Sequence, residues 1–374
     1  METATDAARG DATLPPPPTQ EPGTTPAPGR RRARTLGFDL TALAVVGILL
    51  AGALGVTGVY LYRELYSPSA FVTRYLDLLS HGQAAEALTV PGVAVDSTQL
   101  EKAGLPVDAS EALLRSAALA SLTDATVLSA EEDADGVTTV TVGYKAGPHK
   151  GTTKLRVEQA GWVGVAPTWR FEQSPLAAIE LTVRGARQFT VNGFEIDTRQ
   201  VAAAGVDADP LDPVSLLVFS PGLYSISVDT AVSATPGVAV LSDEPQANIP
   251  VDVQAMPTDE FTAAIQSEVE SFLTTCATQQ VLQPTGCPFG LVVQNRIVEP
   301  PQWSIEQQPT VSLSPDGANW TITRTQAAAH IIVDIKSIYD GSVRHLDEAV
   351  PFNLGGTVTM LADGTASIQI TDGN

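Results

Sequence analysis

At 374 residues with a net charge of −21, the chain is too long for one ordinary domain and too acidic for general nucleic-acid binding. Hydrophobic residues make up 44% and charged residues 17%, so most of it can fold, while 27 prolines and 30 glycines favour turn-rich β structure. Two cysteines exclude iron–sulfur clusters and cysteine-rich zinc modules.

Residues 1–35 hold almost no large apolar side chains; TLPPPPTQEPGTTPAPG leads into Arg30, Arg31, Arg32 and Arg34. Such a segment cannot bury enough surface to offset its ordering entropy, and Pro15 to Pro18 favour polyproline II. It is expected to be a disordered cytoplasmic tail, either a spacer or a docking tail phosphorylated at Thr13, Thr19, Thr24 or Thr25. Leu40 to Tyr62 follows as 23 residues without a charge. A helix of this length spans about 35 Å, enough for a hydrocarbon core of about 30 Å.

The four arginines precede this run and two tyrosines close it. The pattern predicts a single-pass membrane helix over 40–62, with the N-terminus cytoplasmic and residues 63–374 exported. A cleaved signal peptide is the competing reading: Arg31-Arg32 fit twin-arginine export, and Ala51 and Ala53 are small enough for cleavage. The leader and the apolar run are both long for that pattern. Gly47, Ala51 and Gly55 form a small-residue stripe that would let two such helices approach as a homodimer. Residues 63–374 carry 16 basic and 37 acidic groups, so the excess acidity lies beyond the anchor.

The exported part reads as three units of α+β character. In 67–175, Ser67 and Pro68 start a helix whose apolar face runs from Phe71 to Leu79 and which Gly82 ends. Further helices are expected at Gln83 to Leu88 and Ser110 to Leu122, then antiparallel strands around the turns at Asp135-Gly136 and Ala160-Gly161. Residues 176–255 hold six short strand patterns, with Asn192-Gly193 and Ser220-Pro221-Gly222 as turns, and predict a small β-sandwich. In 257–374, Thr258 caps an amphipathic helix carrying Phe261, Ile265, Val269 and Leu273. Strands then follow around 292–298, 310–314, 319–325, 328–339, 343–350, 356–361 and 365–370, a second helix-plus-meander unit.

The opening FVTRYLDLLSHGQAAEAL resembles the first helices of NTF2-like domains, cone-shaped α+β folds with a curved sheet. WRFEQSPLAAIELTV, FTVNG and FSPGLYSISV resemble exported regions of actinobacterial single-pass membrane proteins with an NTF2-like domain and a small β domain. The order of tail, anchor and two modules is similar to that of teicoplanin-resistance-associated membrane proteins. Those typically start with a zinc ribbon, and this chain has no cysteine before Cys276. The resemblance covers roughly 68–255 and implies location and architecture more than chemistry; NTF2-like folds also often enclose a pocket.

Motifs for chemistry are sparse. Cys276 and Cys287, in C-x10-C spacing, read as a structural disulfide of an oxidising compartment, a redox pair usually needing closer spacing. Glu131 to Gly136 mimics the start of a calcium loop, but Val142 stands where a bidentate carboxylate is required, so the run reads as a charged hairpin tip. His81, His149, His330 and His345 share no ligand or triad spacing. Asn319-Trp320-Thr321 matches a glycosylation sequon, with Trp320 reading as strand core. Trp162, Trp169 and Phe171 alternate on strands and read as sheet core, or as the lining of a ligand pocket. No cofactor is expected. The function expected is a non-catalytic, membrane-anchored envelope protein that binds or scaffolds an envelope protein or cell-wall component. A small-ligand receptor, or an enzyme using an NTF2-like pocket, is the alternative.

Overall fold

The computed structural model describes residues 43–49, 65–164, 166–361 and 365–372. The predicted tail, with Arg30, Arg31, Arg32 and Arg34, lies outside them. Of the predicted span only 43–49 is described, and it is helical and exposed. Among the described residues no helix is long and apolar enough to cross a membrane. Gly47 has open space around it, and Ala51 and Gly55 fall outside the described residues. The chain divides into two compact units, Met1–Leu61 and Tyr62–Asn374. The fold is α+β, about 22% helix and 46% strand.

In the larger unit, α1 (Pro68–Ser80) starts where Ser67 Oγ accepts a hydrogen bond from Ala70 N at 3.1 Å, with proline in the first turn. Its face of Phe71, Val72, Tyr75, Leu76 and Leu79 is buried. α2 (Ala84–Thr89) follows, and α3 (Ser97–Ala103) is opened by a reciprocal Asp96–Gln99 capping box. The helix expected over 110–122 does not form; two single 3₁₀ turns, Glu111–Leu113 and Ser116–Ala118, stand there instead. The reason is tertiary. Ser110 N donates to Ser215 O at 2.8 Å and Ser110 O accepts from Leu217 N at 2.9 Å, so this backbone is drawn onto a strand edge. Leu113 and Leu114 then enter different cores.

Strands β1 (Leu122–Glu132), β2 (Thr138–Ala146), β3 (His149–Val163) and β4 (Ala166–Phe171) form an antiparallel meander in sequence order. The acidic turn between β1 and β2 is held by Asp133, whose Oδ1 accepts from Asp135 N and Val137 N, both at 3.0 Å. That carboxylate builds a hairpin, as the failed calcium pattern implied.

Next come β5 (Leu176–Arg184), β6 (Gln188–Val191), β7 (Phe194–Asp197), the one-turn α4 (Thr198–Val201), β8 (Val214–Phe219), β9 (Gly222–Ser227), β10 (Ser233–Ala234), β11 (Val238–Ser242), β12 (Asn248–Gln254) and β13 (Met256–Pro257). They make a four-stranded sheet β11-β9-β6-β7, a three-stranded sheet β12-β5-β8 and the short pair β10-β13. β12 runs parallel to β5. At the β6–β7 turn both Asn192 (φ 50°) and Gly193 (φ 84°) are left-handed, the backbone a two-residue hairpin requires. The Asn192 side chain also donates to Ala118 O and Leu223 O, both at 2.8 Å.

The three-stranded sheet is a shared wall. On β5, Leu176 and Ala178 enter the first core with α1 and the meander, while Ala177, Ile179, Leu181 and Val183 enter the middle core. On β8, Leu217 and Phe219 face the first core and Val214, Leu216 and Val218 the middle one. A strand buried on both faces reads as a continuous apolar run, as SLLVF does. Packing therefore crosses the boundary expected at 175/176.

The C-terminal core lies beneath α5 (Asp259–Ala277), where Thr258 Oγ1 accepts from Phe261 N at 3.1 Å. Its sheet is organised on β17 (Asn319–Lys336), an 18-residue strand. β14 (Arg296–Ile297), β15 (Gln302–Gln307) and β16 (Leu313–Asp316) pair with β17, which also pairs with β18 (Val343–Met360), itself paired to β19 (Ala366–Asp372). The two breaks expected inside 319–339 and 343–361 are absent. A register shift between Ile322 and Thr325 absorbs the first. Pro351 is tolerated because β19 begins to pair only at Leu354, leaving β18 a free edge there.

Candidate functional site

The first core is where a pocket would lie if the opening unit enclosed one. It is filled: Phe171 packs on Phe71 and Tyr75, ring centroids 5.0 and 5.1 Å apart, with Leu79, Tyr144 and Leu155 also buried. Of the three aromatics predicted as sheet core or pocket lining, Phe171 is buried and Trp169 half-buried, its indole N–H donating to Tyr66 O at 2.8 Å. Trp162 corrects the expectation. It sits at the tip of the β3–β4 hairpin, beyond the sheet's covered area, and is 63% exposed.

A cleft of about 820 Å³ opens between the middle and C-terminal cores. Its middle-unit wall carries Arg187, Asp197, Arg199 and Asp209; its C-terminal wall is made by the β16–β17 turn and the end of β18. Two glycines set the walls. Gly185 (φ 81°) turns the chain off β5 just above Trp320, where a Cβ would stand 3.4 Å from the indole. Gly317 (φ 59°) makes the β16–β17 turn against Leu211. Thr258 Oγ1 donates to Ala231 O at 2.8 Å, so the residue that starts α5 also pins the neighbouring loop.

Electrostatically the cleft is mixed. Asp197 Oδ1 accepts from Arg199 N at 2.9 Å and Nε at 3.0 Å, and Oδ2 from Nη2 at 2.6 Å. The Arg199 guanidinium holds this carboxyl below the usual carboxylate range, with Arg187 adding to the effect and partial burial opposing it. Such a group stays ionised and is a poor proton donor. Asp209 Oδ1 accepts from Leu211 N at 2.9 Å, and Asp316 Oδ2 from Thr321 Oγ1 at 3.3 Å. Asn319 of the sequon also lines the cleft, while Trp320 is fully buried against Phe261. Among the described residues no histidine, cysteine or lysine lines it. The arrangement can bind a polar, mixed-charge segment.

The four histidines do not converge. His81 closes α1, its Nδ1–H donating to Asp77 O at 2.7 Å. His149 is exposed where β3 begins. His330 lies between two carboxylates, Nε2 at 2.6 Å from Asp347 Oδ1 and Nδ1 at 3.5 Å from Glu306 Oε2. The hydrogen bond to Asp347 raises its pKa above 6.5, with Glu306 adding and desolvation opposing. Both ring nitrogens thus face carboxylates on neighbouring strands. His345, near the start of β18, has Nδ1 2.7 Å from Asp334 Oδ1 on β17. Cys276 and Cys287 are joined, Sγ–Sγ 2.08 Å, and tie the end of α5 to the following loop. Trp303 Nε1–H donates to Val281 O within that loop, at 2.8 Å. Among the described residues no group of His, Cys, Asp and Glu is placed to hold a metal ion.

Asp197 and Arg199 were not singled out by sequence reasoning; their only signal is a D-x-R spacing at the start of a helical turn, which is common at N-caps. No family model matches the chain, and no curated protein and no solved structure matches it.

Proposed function

We propose that the chain is a membrane-anchored envelope protein, with 40–62 as the span and 63–374 as an exported, non-catalytic binding or scaffolding ectodomain. The observation that carries the reading is the pairing of three apolar cores with a wide cleft of mixed charge, in which Asp197 and Arg199 hold each other and Arg187 and Asp209 line the wall. The charge-free run behind Arg30, Arg31, Arg32 and Arg34 supports the topology, and the Cys276–Cys287 bond supports an oxidising compartment. Three helices against an antiparallel meander support an NTF2-like first unit within the actinobacterial membrane-protein type resembled. Gly47, Ala51 and Gly55 would serve homodimerisation of the span. The partner is an envelope protein or cell-wall component that presents both charges to Arg187 and Asp209.

In-cell crosslinking of the full-length tagged protein, with recovery from membranes and mass spectrometry, tests it. Recurrent envelope partners joined through 63–374 are expected. Efficient recovery with no specific partner would remove the scaffold reading. The second reading is a small-ligand receptor, favoured by the cleft of about 820 Å³ rather than by the filled first core.

A further inference from the structure

The β3–β4 hairpin ends in two large apolar side chains that stand exposed among the described residues: Trp162 is 63% exposed and Val163 72%. In sequence the whole hairpin end, QAGWVGVAPTW over 159–169, lacks a charge, although the chain carries −21. The first charges behind it, Glu158 and Arg170, are bonded to each other, Nε to Oε1 at 2.7 Å. An uncharged apolar tip on an acidic body suits an apolar or interfacial occupant.

Three contacts fix where the tip points. Phe171 stacks on Tyr75 and Phe71 of α1, and Trp169 Nε1–H bonds to Tyr66 O at 2.8 Å. Going backwards along β4 from Phe171 to Trp169 is therefore going backwards along α1 towards the start of the unit. β4 continues three residues further, to Ala166 beside Val163, a rise of about 10 Å. From Tyr66 the chain has four residues to reach Tyr62, at most about 14 Å. The hairpin tip thus lies towards the end of the larger unit at which Tyr66 stands.

We infer that Trp162 and Val163 enter the headgroup region of the lipid bilayer beside the point where the chain reaches the membrane. This rests on the proposed span over 40–62. The tip is a second foothold: a single helix leaves the ectodomain free to swing, whereas helix and hairpin together hold one face of it towards the lipid. Trp suits this position because its ring is apolar and its N–H polar.

The test is tryptophan fluorescence of the full-length protein in phosphatidylcholine–phosphatidylglycerol vesicles, with and without brominated acyl chains. The four tryptophans all lie outside the apolar run, so quenching reports ectodomain contact with lipid. Bromolipid is expected to quench the wild type, and Trp162→Ser to lower the quenched fraction by about half, with an unchanged melting curve because the side chain is exposed. Equal quenching of both proteins, or none, with the protein floating on the vesicles would overturn the inference and leave the anchor standing. Failure of the full-length protein to float would overturn both.

Discussion

Tyr75 shows what one phenol can hold together. It lies on α1, packs its ring on Phe171, and donates its O–H to Ser220 O at 3.1 Å, 145 residues away. Burial pushes its pKa well up, with the nearby Tyr224 adding to the effect, so the hydroxyl remains a donor across the ordinary pH range. Ser220 also bonds through Oγ to Ser242, and Tyr224 OH accepts from Phe219 N at 2.9 Å. These groups meet at the joint between the first and middle cores. Tyr75→Phe keeps the ring and removes the donor, leaving a buried carbonyl without its partner. A loss of about 1–3 kcal/mol is expected in urea unfolding. An unchanged midpoint would mean that the phenol contributes nothing at this joint.

At the scale of elements, the long hairpin of β17 and β18 shows how charge decorates a half-exposed sheet. His330 and Asp347 lie on neighbouring strands, one diagonal apart in the register. Because the folded-state pKa of His330 is raised, its contribution to stability is fully present below about pH 6.5 and is lost as pH rises through the folded value. Asp347→Asn is expected to bring the titration of His330 down towards 6.5, read by NMR of the imidazole proton. Identical titrations in both proteins would remove Asp347 as the cause.

Elements with a local signal were legible in the sequence: the caps at Ser67 and Thr258, the Asn192-Gly193 hairpin and the Cys276–Cys287 pair. Those decided by distant partners were not. Ser110 to Leu122 has helical spacing, yet Ser215 and Leu217 claim the Ser110 backbone. β15 falls between the strands expected around 292–298 and 310–314, although Trp303 and Ile305 alternate with polar neighbours. Trp162 read as core because strand alternation does not reveal where a sheet stops being covered. The cleft is the extreme case, since its walls come from separate segments within 185–233 and 316–361 and no local pattern marks them.

Across the whole molecule, the wall made by β5 and β8 determines how the larger unit responds to damage. Leu216 belongs to the middle core and Leu217 to the first, although they are adjacent. Truncating either to alanine should cost about 2–5 kcal/mol. Both changes are expected to move one calorimetric transition, because losing either core strips one face of the same strands. Two resolved transitions, each shifted by only one of the variants, would show that the cores unfold separately.

The same wall also restricts which kinds of mutation the chain can accumulate. Consecutive residues of β5 feed opposite cores, so the strand is read in two interleaved phases. Deleting or inserting one residue between 176 and 181 would exchange the phases, sending Ile179 where Ala178 had been and emptying both cores of the shapes they were built around. Substitutions here can be compensated one at a time; changes of length cannot. Length variation among descendants of this sequence should therefore collect in segments such as 203–212, outside the strands, while the spacing within β5 stays fixed even as its letters change.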